Sequence, residues 1–299
     1  MKCVFIYNPV GGRGKIAKKL NKIVLALKEK YEIVDVCATK CAGDMKNIAR
    51  DAVGKYDAII FAGGDGSFNE VVQGIGDFEE LPVLGYIPTG TTNDIAHTLK
   101  ISKNIKKALK VIQTGKVEKL DCMKVNDRYA MYVVAAGAFT RSTYSTPQAS
   151  KKRFGWLAYG FEGLKHDLKF QVFNFHCKSG AQELHTDCVL ATFMNSRYVA
   201  GFKLNKKANL QDGKIEVAVI KQTSKPNFFK KFGALFSVAR LFVFGYKSKM
   251  KRLAKMQGSS FDVEVNEDVT WNLDGEKGDV GKLHIEVIPQ KINMIVPQK

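Results

Sequence analysis

The sequence predicts two domains, an N-terminal α/β domain built on a parallel sheet and a C-terminal β-rich domain that resembles a sandwich. Strand-like and helix-like patterns alternate up to about residue 121, which is typical of a parallel sheet with helices on both faces. Beyond that point, short alternating runs separated by turn residues dominate, which indicates antiparallel strands. A chain of 299 residues is long enough for both domains.

The α/β domain is predicted to contain strands and helices in strict succession. Apolar side chains recur at helical spacing over residues 15–30, at Ile16, Leu20, Ile23, Val24 and Leu27. The predicted strands are KCVFIYN, YEIVDVCAT, YDAIIFAGG and one within LPVLGYIPTG, and the predicted helices are 15–30, 44–54, 67–76, one that opens in TNDIAHTL, and 104–114.

The second domain is predicted from seven strand-like runs interrupted by helical insertions near 153–168 and 225–256. The runs are RYAMYVVAAG, FQVFNFHC, CVLATFMN, KIEVAVIK, FDVEVN, VTWNLDG and LHIEVIP. The predicted borders are therefore 1–121 for the α/β domain and 122–288 for the β-rich domain. The last run, at about 289–299, is expected to be able to return to the first domain.

Composition and charge narrow the class of protein. The six cysteines form no CxxC pair, so neither a zinc site nor a disulfide framework is expected. The N-terminal run MKCVFIYNPVGG is too short for a signal peptide, and we expect a reduced, cytoplasmic protein. A net charge of +18 favours an anionic partner, either nucleic acid, a membrane surface or a phosphorylated ligand, although a solvated basic surface is the alternative.

Three glycine-rich junctions follow predicted strands, at 8–14 (NPVGGRG), 63–70 (GGDGSFNE) and 88–94 (PTGTTND). In open parallel sheets, ligands bind beyond the carboxyl ends of the strands, where glycine permits close approach of the main chain and a helix N-terminus attracts anions. The three junctions together therefore predict a phosphate-rich ligand. Neither the P-loop pattern nor the dinucleotide pattern GxGxxG fits them.

Asp65 is the unusual residue of these junctions. Ser67 with Glu70, and Thr91 with Asp94, are predicted as helix-capping boxes, and Asp65 precedes the first of these predicted caps. A carboxylate there would repel a phosphate unless a cation intervened, so we interpret Asp65 as a Mg²⁺ ligand. The alternative is a plain turn aspartate. As a surface acid, it is expected to affect ligand binding more than stability.

The motifs together resemble the diacylglycerol kinase catalytic domain family, which also includes sphingoid-base kinases and soluble bacterial lipid kinases. The resemblance rests on GGDGSFNEVVQGI with PTGTTND, on NPVGGRGK, and on segments of the second domain. Those segments are KLDCMKVNDRYAMYVVAAGAFT, STYSTP (with Thr143–Pro147), NLQDGKIEV and NLDGE. The resemblance implies an α/β nucleotide domain and a β-sandwich with ATP in the cleft between them.

Site residues follow from the resemblance, position by position. ATP would contact Asn8, Pro9, Val10, Gly11, Gly12, Thr39, Gly64, Asp65, Gly66, Ser67, Phe68, Asn69, Glu70 and Thr91. Asp65 would bind the catalytic Mg²⁺ directly or through water. Asp212 would bind a structural magnesium with the carbonyls of Asn209 and Lys214, although an Asp-Gly hairpin turn also explains Asp212. Asp121 matches a family position near the cleft, with a surface residue as the alternative.

The resemblance also implies that the DGE motif supplies the base that accepts the proton of the acceptor hydroxyl. Asp274 and Glu276 are both candidates, with a slight preference for Asp274. A hairpin turn is the alternative. Phosphoryl transfer needs such a group, because the nucleophile must be oriented opposite a metal-bound phosphate.

A basic and aromatic segment suggests how a lipid is reached. Residues 221–261 contain ten Lys/Arg and no Asp or Glu. Phe228, Phe232, Leu235, Ala239, Phe242 and Tyr246 are predicted to share one helical face. Such a helix suits the surface of an anionic membrane, or else packs on the β-rich domain with a solvated basic face.

The leading hypothesis is an ATP- and Mg²⁺-dependent kinase that phosphorylates diacylglycerol to phosphatidic acid, a reaction of phospholipid metabolism, at an anionic membrane surface. Another lipid alcohol (a sphingoid base, ceramide, monoacylglycerol or undecaprenol) is the first alternative. An NAD kinase-like enzyme, a catalytically inactive binding protein and a basic nucleic-acid-binding protein are disfavoured alternatives, and we expect no nucleic-acid partner. The oligomeric state stays open, with a homodimer as one option.

Overall fold

The computed structural model describes residues 1–138, 171–223, 226 and 228–298. The chain divides into two compact units. Unit 1 comprises Met1–Cys122, Leu210–Asp212 and Ile288–Lys299, and unit 2 comprises Met123–Asn209 and Gly213–Val287. The predicted Thr143–Pro147 motif and the predicted helix near 153–168 lie outside the described residues.

Unit 1 is built on a parallel sheet. Its strands are β1 (Lys2–Tyr7), β2 (Ile33–Ala38), β3 (Ala58–Gly63), β4 (Val83–Pro88) and the last part of a long strand, β15 (Leu283–Val296). The sheet order is β2-β1-β3-β4-β15, with every neighbouring pair parallel. The chain therefore reverses its direction of travel across the sheet at β1, which is the position where open α/β sheets bind ligands.

Helices cover this sheet on both faces. They are α1 (Leu20–Lys28), α2 (Asp44–Ala52), α3 (Asp65–Ile75), α4 (Asp94–Thr98) and α5 (Ile105–Thr114). Helix α1 packs against α5, and α2 packs against α3. The connection from β1 to β2 runs in one direction across the sheet, and the connections from β2 to β3 and from β3 to β4 run in the other. Because such crossovers are right-handed, these two pairs lie on opposite faces of the sheet. The predicted α/β architecture is confirmed.

Two helix starts differ from the prediction. The helix predicted from residue 15 begins as two short 3-10 turns, Gly11–Gly14 and Ala17–Lys19, and becomes α-helical only at Leu20. The helix predicted from residue 67 begins two residues earlier, at Asp65, with Gly64 at the N-cap position. Asp65 therefore lies within the first turn of α3, where the helix dipole favours a negative charge.

Unit 2 is an antiparallel, sandwich-like β structure, as predicted. Strand β5 (Lys116–Val125) begins in unit 1 and ends in unit 2. The further elements of unit 2 are β6 (Arg128–Ala130), β7 (Val133–Gly137), β8 (Phe173–Ser179), β9 (Gln182–Met194), β10 (Ile215–Lys221), α6 (Phe228–Phe244), β11 (Leu253–Gly258), β12 (Ser260–Val265), β13 (Thr270–Leu273) and β14 (Glu276–Val280). Strand β9 pairs with β8 through its first half and with β7 and β10 through its second half. The core of unit 2 is aromatic, and the Phe193 ring contacts the rings of Phe261 and Trp271.

Three predictions for unit 2 require correction. The run RYAMYVVAAG is not one strand, because it is broken at Met131 and Tyr132 into β6 and β7. The insertion predicted as helical over 225–256 ends as a helix at Phe244, and β11 follows it. The predicted apolar face of that helix is shorter than expected, because Tyr246 lies beyond the helix end at Phe244; Leu235 and Phe242 are half-buried, and the Phe242 ring packs on Phe202, as the alternative of packing on the β-rich domain expected.

The last strand belongs to both units. Strand β15 pairs with β12 through Leu283–Glu286 in unit 2, and Met294 pairs with Leu84 of β4 in unit 1. Leu210–Asp212, which the sequence assigned to the second domain, lies in unit 1, where the N–H of Asp121 donates to the carbonyl of Leu210 (2.7 Å).

The contact between α2 and α3 depends on Gly74. A Cβ at Gly74 would lie 2.3 Å from the main-chain oxygen of Lys46, so Gly74→Ala should cost about 1–3 kcal/mol by overpacking. Gly233→Ala in α6 is the matched control. Its Cβ would meet only the tip of Arg252, at 3.4 Å, and alanine is favoured over glycine in a helix by up to ~1 kcal/mol. Urea unfolding monitored by circular dichroism measures both, and equal stability of the two variants would contradict the assigned packing.

Candidate active site

The predicted phosphate-binding residues lie at one edge of the unit 1 sheet. Asn8–Gly12 follow β1, Thr39 follows β2, Gly64–Glu70 follow β3 and Thr91 follows β4. These four strands are neighbours and parallel, so their carboxyl ends meet at the same edge. The structure thus brings the three glycine junctions together, as their positions after strands predicted.

Asp65 joins the junction after β3 to the junction after β4. The Thr92 hydroxyl donates to Asp65 Oδ2 (2.8 Å), the N–H of Asn93 donates to the same oxygen (2.7 Å), and the N–H of Asp94 donates to Oδ1 (2.7 Å). These two N–H groups belong to the N-terminus of α4, where no intrahelical acceptor exists. The carboxylate therefore caps a helix 28 residues further along the chain, and its role is at least partly structural.

Glycine allows these two junctions to approach each other. A Cβ at Gly90 would lie 2.5 Å from the Cα of Gly64 and 2.7 Å from the side-chain oxygen of Asn93. Any larger residue at Gly90 would push the junction after β4 away from the junction after β3. Main chain therefore packs on main chain at this edge, as only glycine permits.

A buried polar pair supports the same junctions from below. Asn93 is fully buried in a left-handed conformation (φ 53°), and its side chain accepts from the N–H of Gly90 (2.9 Å) and donates to the Gly90 carbonyl (2.8 Å). The Tyr86 hydroxyl lies 3.2 Å from Asn93 Oδ1 and 3.2 Å from the Gly63 carbonyl. Burial, and then Asp65 and Asp94, raise the pKa of Tyr86 well above its usual value, so the hydroxyl stays protonated as a donor.

Several predicted roles in the GGDG segment change. The N-caps of α3 and α4 are Gly64 and Asn93, and neither makes a side-chain capping bond, so both predicted capping boxes are wrong. Ser67 instead packs against Gly63, where a Cβ would lie 2.2 Å from its side chain. Phe68 and Asn69 are buried, and the Phe68 ring packs edge-on against Phe61 and Tyr86.

The first glycine junction is shaped by its own asparagine. The side-chain oxygen of Asn8 accepts from the N–H groups of Val10 (3.0 Å) and Gly11 (3.1 Å). This local turn holds the predicted ATP segment Asn8–Gly12 directly after β1. Thr39, Glu70 and Thr91 stand at the same sheet edge, with Thr91 exposed and the other two half-buried.

The residues around Asp65 fit a Mg²⁺ ion held mainly by water and substrate phosphate. No group of three or more His, Cys, Asp or Glu side chains is arranged to hold a metal in the part of the chain that the structure describes. Mg²⁺ does not require one, since it usually keeps several waters and takes one or two carboxylates. Oδ1 of Asp65 accepts from the N–H of Asp94, whereas Oδ2 accepts from both Thr92 and Asn93, which leaves Oδ1 the better placed oxygen for a metal-bound water.

Asp274 of the DGE motif is a buried main-chain anchor in unit 2. It is 2% exposed, adopts φ 53°, and its carboxylate accepts from the N–H groups of Met131 (2.5 Å), Tyr132 (2.9 Å) and Val133 (3.0 Å). These contacts explain the break between β6 and β7. Three N–H donors hold the Asp274 carboxylate against the main chain of residues 131–133, inside the fold.

Glu276 differs from Asp274 in that its side chain is exposed to solvent. It opens β14, pairs with Leu273 of β13 and is exposed. The turn between them is closed by the N–H of Gly275, which donates to the side chain of Asn272 (3.0 Å). The motif thus holds one carboxylate inside the fold and presents the other to solvent.

The remaining predicted residues have mixed outcomes. Asp121 is fully buried and its Oδ1 accepts from the N–H of Gln290 (2.8 Å), so the surface alternative for Asp121 is wrong. Asp212, Asn209 and Lys214 are exposed, and the predicted magnesium site there stays a prediction.

The sequence analysis missed Thr92, Asn93 and Tyr86 as partners of the glycine junctions. Only their position within PTGTTND (Thr92 and Asn93) or just before it (Tyr86) could have indicated them, because their contacts reach across to the end of β3 and the segment after it.

Comparisons with known proteins agree with the resemblance. The model of the diacylglycerol kinase catalytic domain matches residues 2–125, and that of the YegS C-terminal NAD kinase beta sandwich-like domain matches residues 132–296. The chain is 29% identical to a diacylglycerol kinase of Bacillus subtilis over 98% of this chain and 96% of that protein. It is 30% identical to a diacylglycerol kinase of Staphylococcus aureus (strain bovine RF122), over 93% of this chain and 86% of that protein. A crystal structure of a diacylglycerol kinase from Bacillus anthracis shares the fold, with a TM-score of 0.78 at 23% identity over 99% of this chain and 96% of that one.

Asp65→Asn should lower both stability and nucleotide use. The amide has one acceptor oxygen, and its NH₂ group would face an N–H donor, so we expect a loss of about 1–3 kcal/mol in the free energy of unfolding. Thr92→Val is the matched control, because it removes one of the three bonds and keeps the charge. It should cost no more than about 1.5 kcal/mol. Urea unfolding checks both values, and a fully stable Asp65→Asn protein would contradict the capping role.

Asp274→Asn should destabilise unit 2 more than Glu276→Gln does. An amide at position 274 cannot accept from all three N–H groups, and a buried donor left without an acceptor costs about 1–3 kcal/mol. Glu276 is exposed, so Glu276→Gln should stay within about 0.5 kcal/mol of wild type. Thermal unfolding compares the two, and equal midpoints would show that the Asp274 contacts contribute nothing to stability.

Proposed function

Because the chain belongs to the diacylglycerol kinase catalytic domain family, we propose that it is a lipid kinase that transfers the γ-phosphoryl group of ATP to the hydroxyl of diacylglycerol. The products are phosphatidic acid and ADP. Relatives named diacylglycerol kinase, at 29–30% identity over most of the chain, support a lipid kinase. ATP as donor, diacylglycerol as acceptor and dependence on Mg²⁺ are the specific parts of this proposal.

One observation carries the proposal, namely the convergence of three glycine junctions at the carboxyl edge of one parallel sheet. Main chain replaces side chain there, as the approach of Gly90 to Gly64 illustrates, and the first turn of α3 begins at that edge. N–H groups at such positions suit the oxygen atoms of a polyphosphate. The proposed roles of Asn8–Gly12, Thr39, Gly64–Ser67, Glu70 and Thr91 are to bind and orient ATP, and the buried Phe68 and Asn69 support this segment from the core.

Asp65 would hold the magnesium through its less occupied oxygen. The bound Mg²⁺ would neutralise charge on the phosphates during transfer. The protein positions the nucleotide-binding segments. Asp65 holds the junction after β4 close to the junction after β3, and Tyr86 and Asn93 support this arrangement from the core. A second magnesium at Asp212, with the carbonyls of Asn209 and Lys214, belongs to the proposal as a structural ion.

Glu276 is the proposed general base and Asp274 its positioning residue. The acceptor hydroxyl gives its proton to the Glu276 carboxylate while its oxygen forms the new bond to phosphorus, and the bond from phosphorus to the ADP oxygen breaks. An exposed carboxylate is able to receive that proton, whereas the Asp274 carboxylate already accepts three N–H bonds. Asp274 instead fixes the turn on which Glu276 stands.

A lipid-panel kinase assay tests the proposal. The purified chain is given radiolabelled ATP with Mg²⁺ and diacylglycerol, monoacylglycerol, ceramide, a sphingoid base or undecaprenol in anionic mixed micelles, with NAD in a separate arm. We expect label in phosphatidic acid before any other product, and loss of labelling when EDTA removes the metal. If another lipid alcohol or NAD is labelled in preference to diacylglycerol, that compound is the acceptor and the proposal of diacylglycerol is wrong.

Glu276→Gln is the control that ties this activity to the DGE motif. A general base contributes ~10²–10⁴ in rate, so turnover should fall by at least the lower value while ATP affinity and stability stay near wild type. If Glu276→Gln retains wild-type turnover under conditions in which chemistry is rate-limiting, the base is another group.

A further inference from the structure

Helix α6 carries apolar side chains on two opposite sides. One side is buried in unit 2 through Ala234, Val238 and Leu241, and the Phe242 ring packs edge-on against Phe202 (centroids 5.3 Å apart). The other side is exposed and is formed by Phe229 (81%), Phe232 (63%), Phe236 (62%), Val243 (68%) and Phe244 (62%). We call these five residues the exposed apolar face of α6.

The exposed apolar face is a contiguous stripe. At 100° per residue, Phe229, Phe232, Phe236 and Val243 fall within an arc of roughly 60°, and Phe244 flanks them. Single exposed apolar residues are ordinary on a protein surface, whereas a contiguous row of phenylalanines marks an interaction surface. The helix is held in place by its other side, so the stripe is not needed to fold unit 2.

The segment that carries this stripe has charges of one sign. Residues 221–261 contain ten Lys/Arg and no acidic residue. Arg240 lies within the stripe, with its guanidinium 5.6 Å from the centre of the Phe244 ring. Just beyond the helix, Lys247 stands beside Lys206 and Lys207; partial desolvation, and then these two cations, lower the pKa of Lys247. A surface that combines exposed aromatics with clustered cations is complementary to an anionic lipid surface.

We propose that the exposed apolar face of α6 docks the protein onto anionic lipid bilayers, with α6 lying in the plane of the interface and its phenylalanines inserted among the acyl chains. The inference rests on the proposed function only for the reason why the protein would bind a membrane; the docking surface itself is inferred from the exposed side chains and charges. No helix in the described parts of the chain is long and apolar enough to cross a membrane. The docking residues replace the face predicted from the sequence; the two sets share Phe232.

The first experiment compares two triple variants in a vesicle co-sedimentation assay. Phe229→Ser, Phe232→Ser and Phe236→Ser together remove the stripe, and Val36→Ser, Val117→Ser and Val280→Ser together remove exposed apolar residues elsewhere. With vesicles of phosphatidylglycerol and phosphatidylcholine, the stripe variant should bind about 1,000-fold more weakly, at about tenfold for each of the three phenylalanines. The control variant should bind like wild type, and equal losses in both would overturn the proposal.

A charge variant tests the electrostatic part. Arg240→Gln with Lys247→Gln should weaken binding to anionic vesicles about tenfold or more, and added salt should weaken wild-type binding in the same way. Binding to pure phosphatidylcholine vesicles should be weak for every protein. Binding that ignores both the charges and the salt would overturn the choice of an anionic surface.

The second experiment reports the environment of the face itself. Phe236→Trp should shift its emission to the blue when anionic vesicles are added, and brominated lipids should quench it. Val280→Trp, on β14, should respond to neither, and the native tryptophans contribute the same background to both variants. A tryptophan at 236 that is shielded without lipid and unchanged with it would show that another part of the chain or a second copy covers the face, which would overturn the proposal.

Turnover on a short-chain diacylglycerol, used below its micelle concentration, separates this inference from the proposed function. The stripe variant should keep wild-type turnover on this monomeric acceptor and lose turnover on vesicle-borne diacylglycerol. Vesicle binding by wild type with no phosphorylation of either acceptor would overturn the proposed function alone. Turnover by the stripe variant on vesicles at the wild-type rate would overturn the docking inference alone.

Discussion

The candidate active site depends on one carboxylate that joins two glycine junctions. Asp65 accepts the N–H groups of Asn93 and Asp94, so the N-terminus of α4 is held by the first residue of α3. Such an interaction serves two purposes at once, since it satisfies donors that a helix start leaves unpaired and sets the separation of the junctions. Glycine at positions 64 and 90 makes the approach possible, and the Asp65 bonds make it stable.

Unit 2 uses an aspartate in the same way. The Asp274 carboxylate accepts hydrogen bonds from the N–H groups of residues 131–133. Asn195 donates to the carbonyls of the same segment, from its main chain to Tyr132 and from its side chain to Met131. The interruption between β6 and β7 is therefore fully hydrogen-bonded even though it is not a strand. Both aspartates precede a glycine, a pair that suggests a local turn. In both cases the carboxylate instead binds main-chain N–H groups far away in the sequence, and those contacts explain its structural role.

The sequence predicted the elements that depend on local pattern and missed those that depend on distant partners. Apolar runs predicted β1, β3 and β4, and glycines at their ends predicted the site edge, because both signals lie within about ten residues. The start of α3 was placed too late, since the contacts that favour Asp65 in the helix come from residues 27 to 29 positions away. The break at Met131 was invisible for the same reason, as its partner Asp274 is 143 residues away. Helix α6 is apolar on two opposite sides, so its sequence pattern does not decide which side is buried; that is decided by distant partners, such as the Phe202 ring that packs on Phe242.

The pairing of β15 with β4 affects the order in which the protein matures on the ribosome. Leu84 and its partner Met294 are 210 residues apart, so the nucleotide-binding sheet is translated long before its edge strand exists. At about 5–20 residues per second, β4 waits roughly 10–40 s with an open edge. During that interval the nascent sheet presents unpaired main-chain groups to other chains, and the late arrival of β15 both completes the hydrophobic core and removes a template for aggregation. Translation, not local sequence, thus sets the earliest moment at which this unit is fully folded.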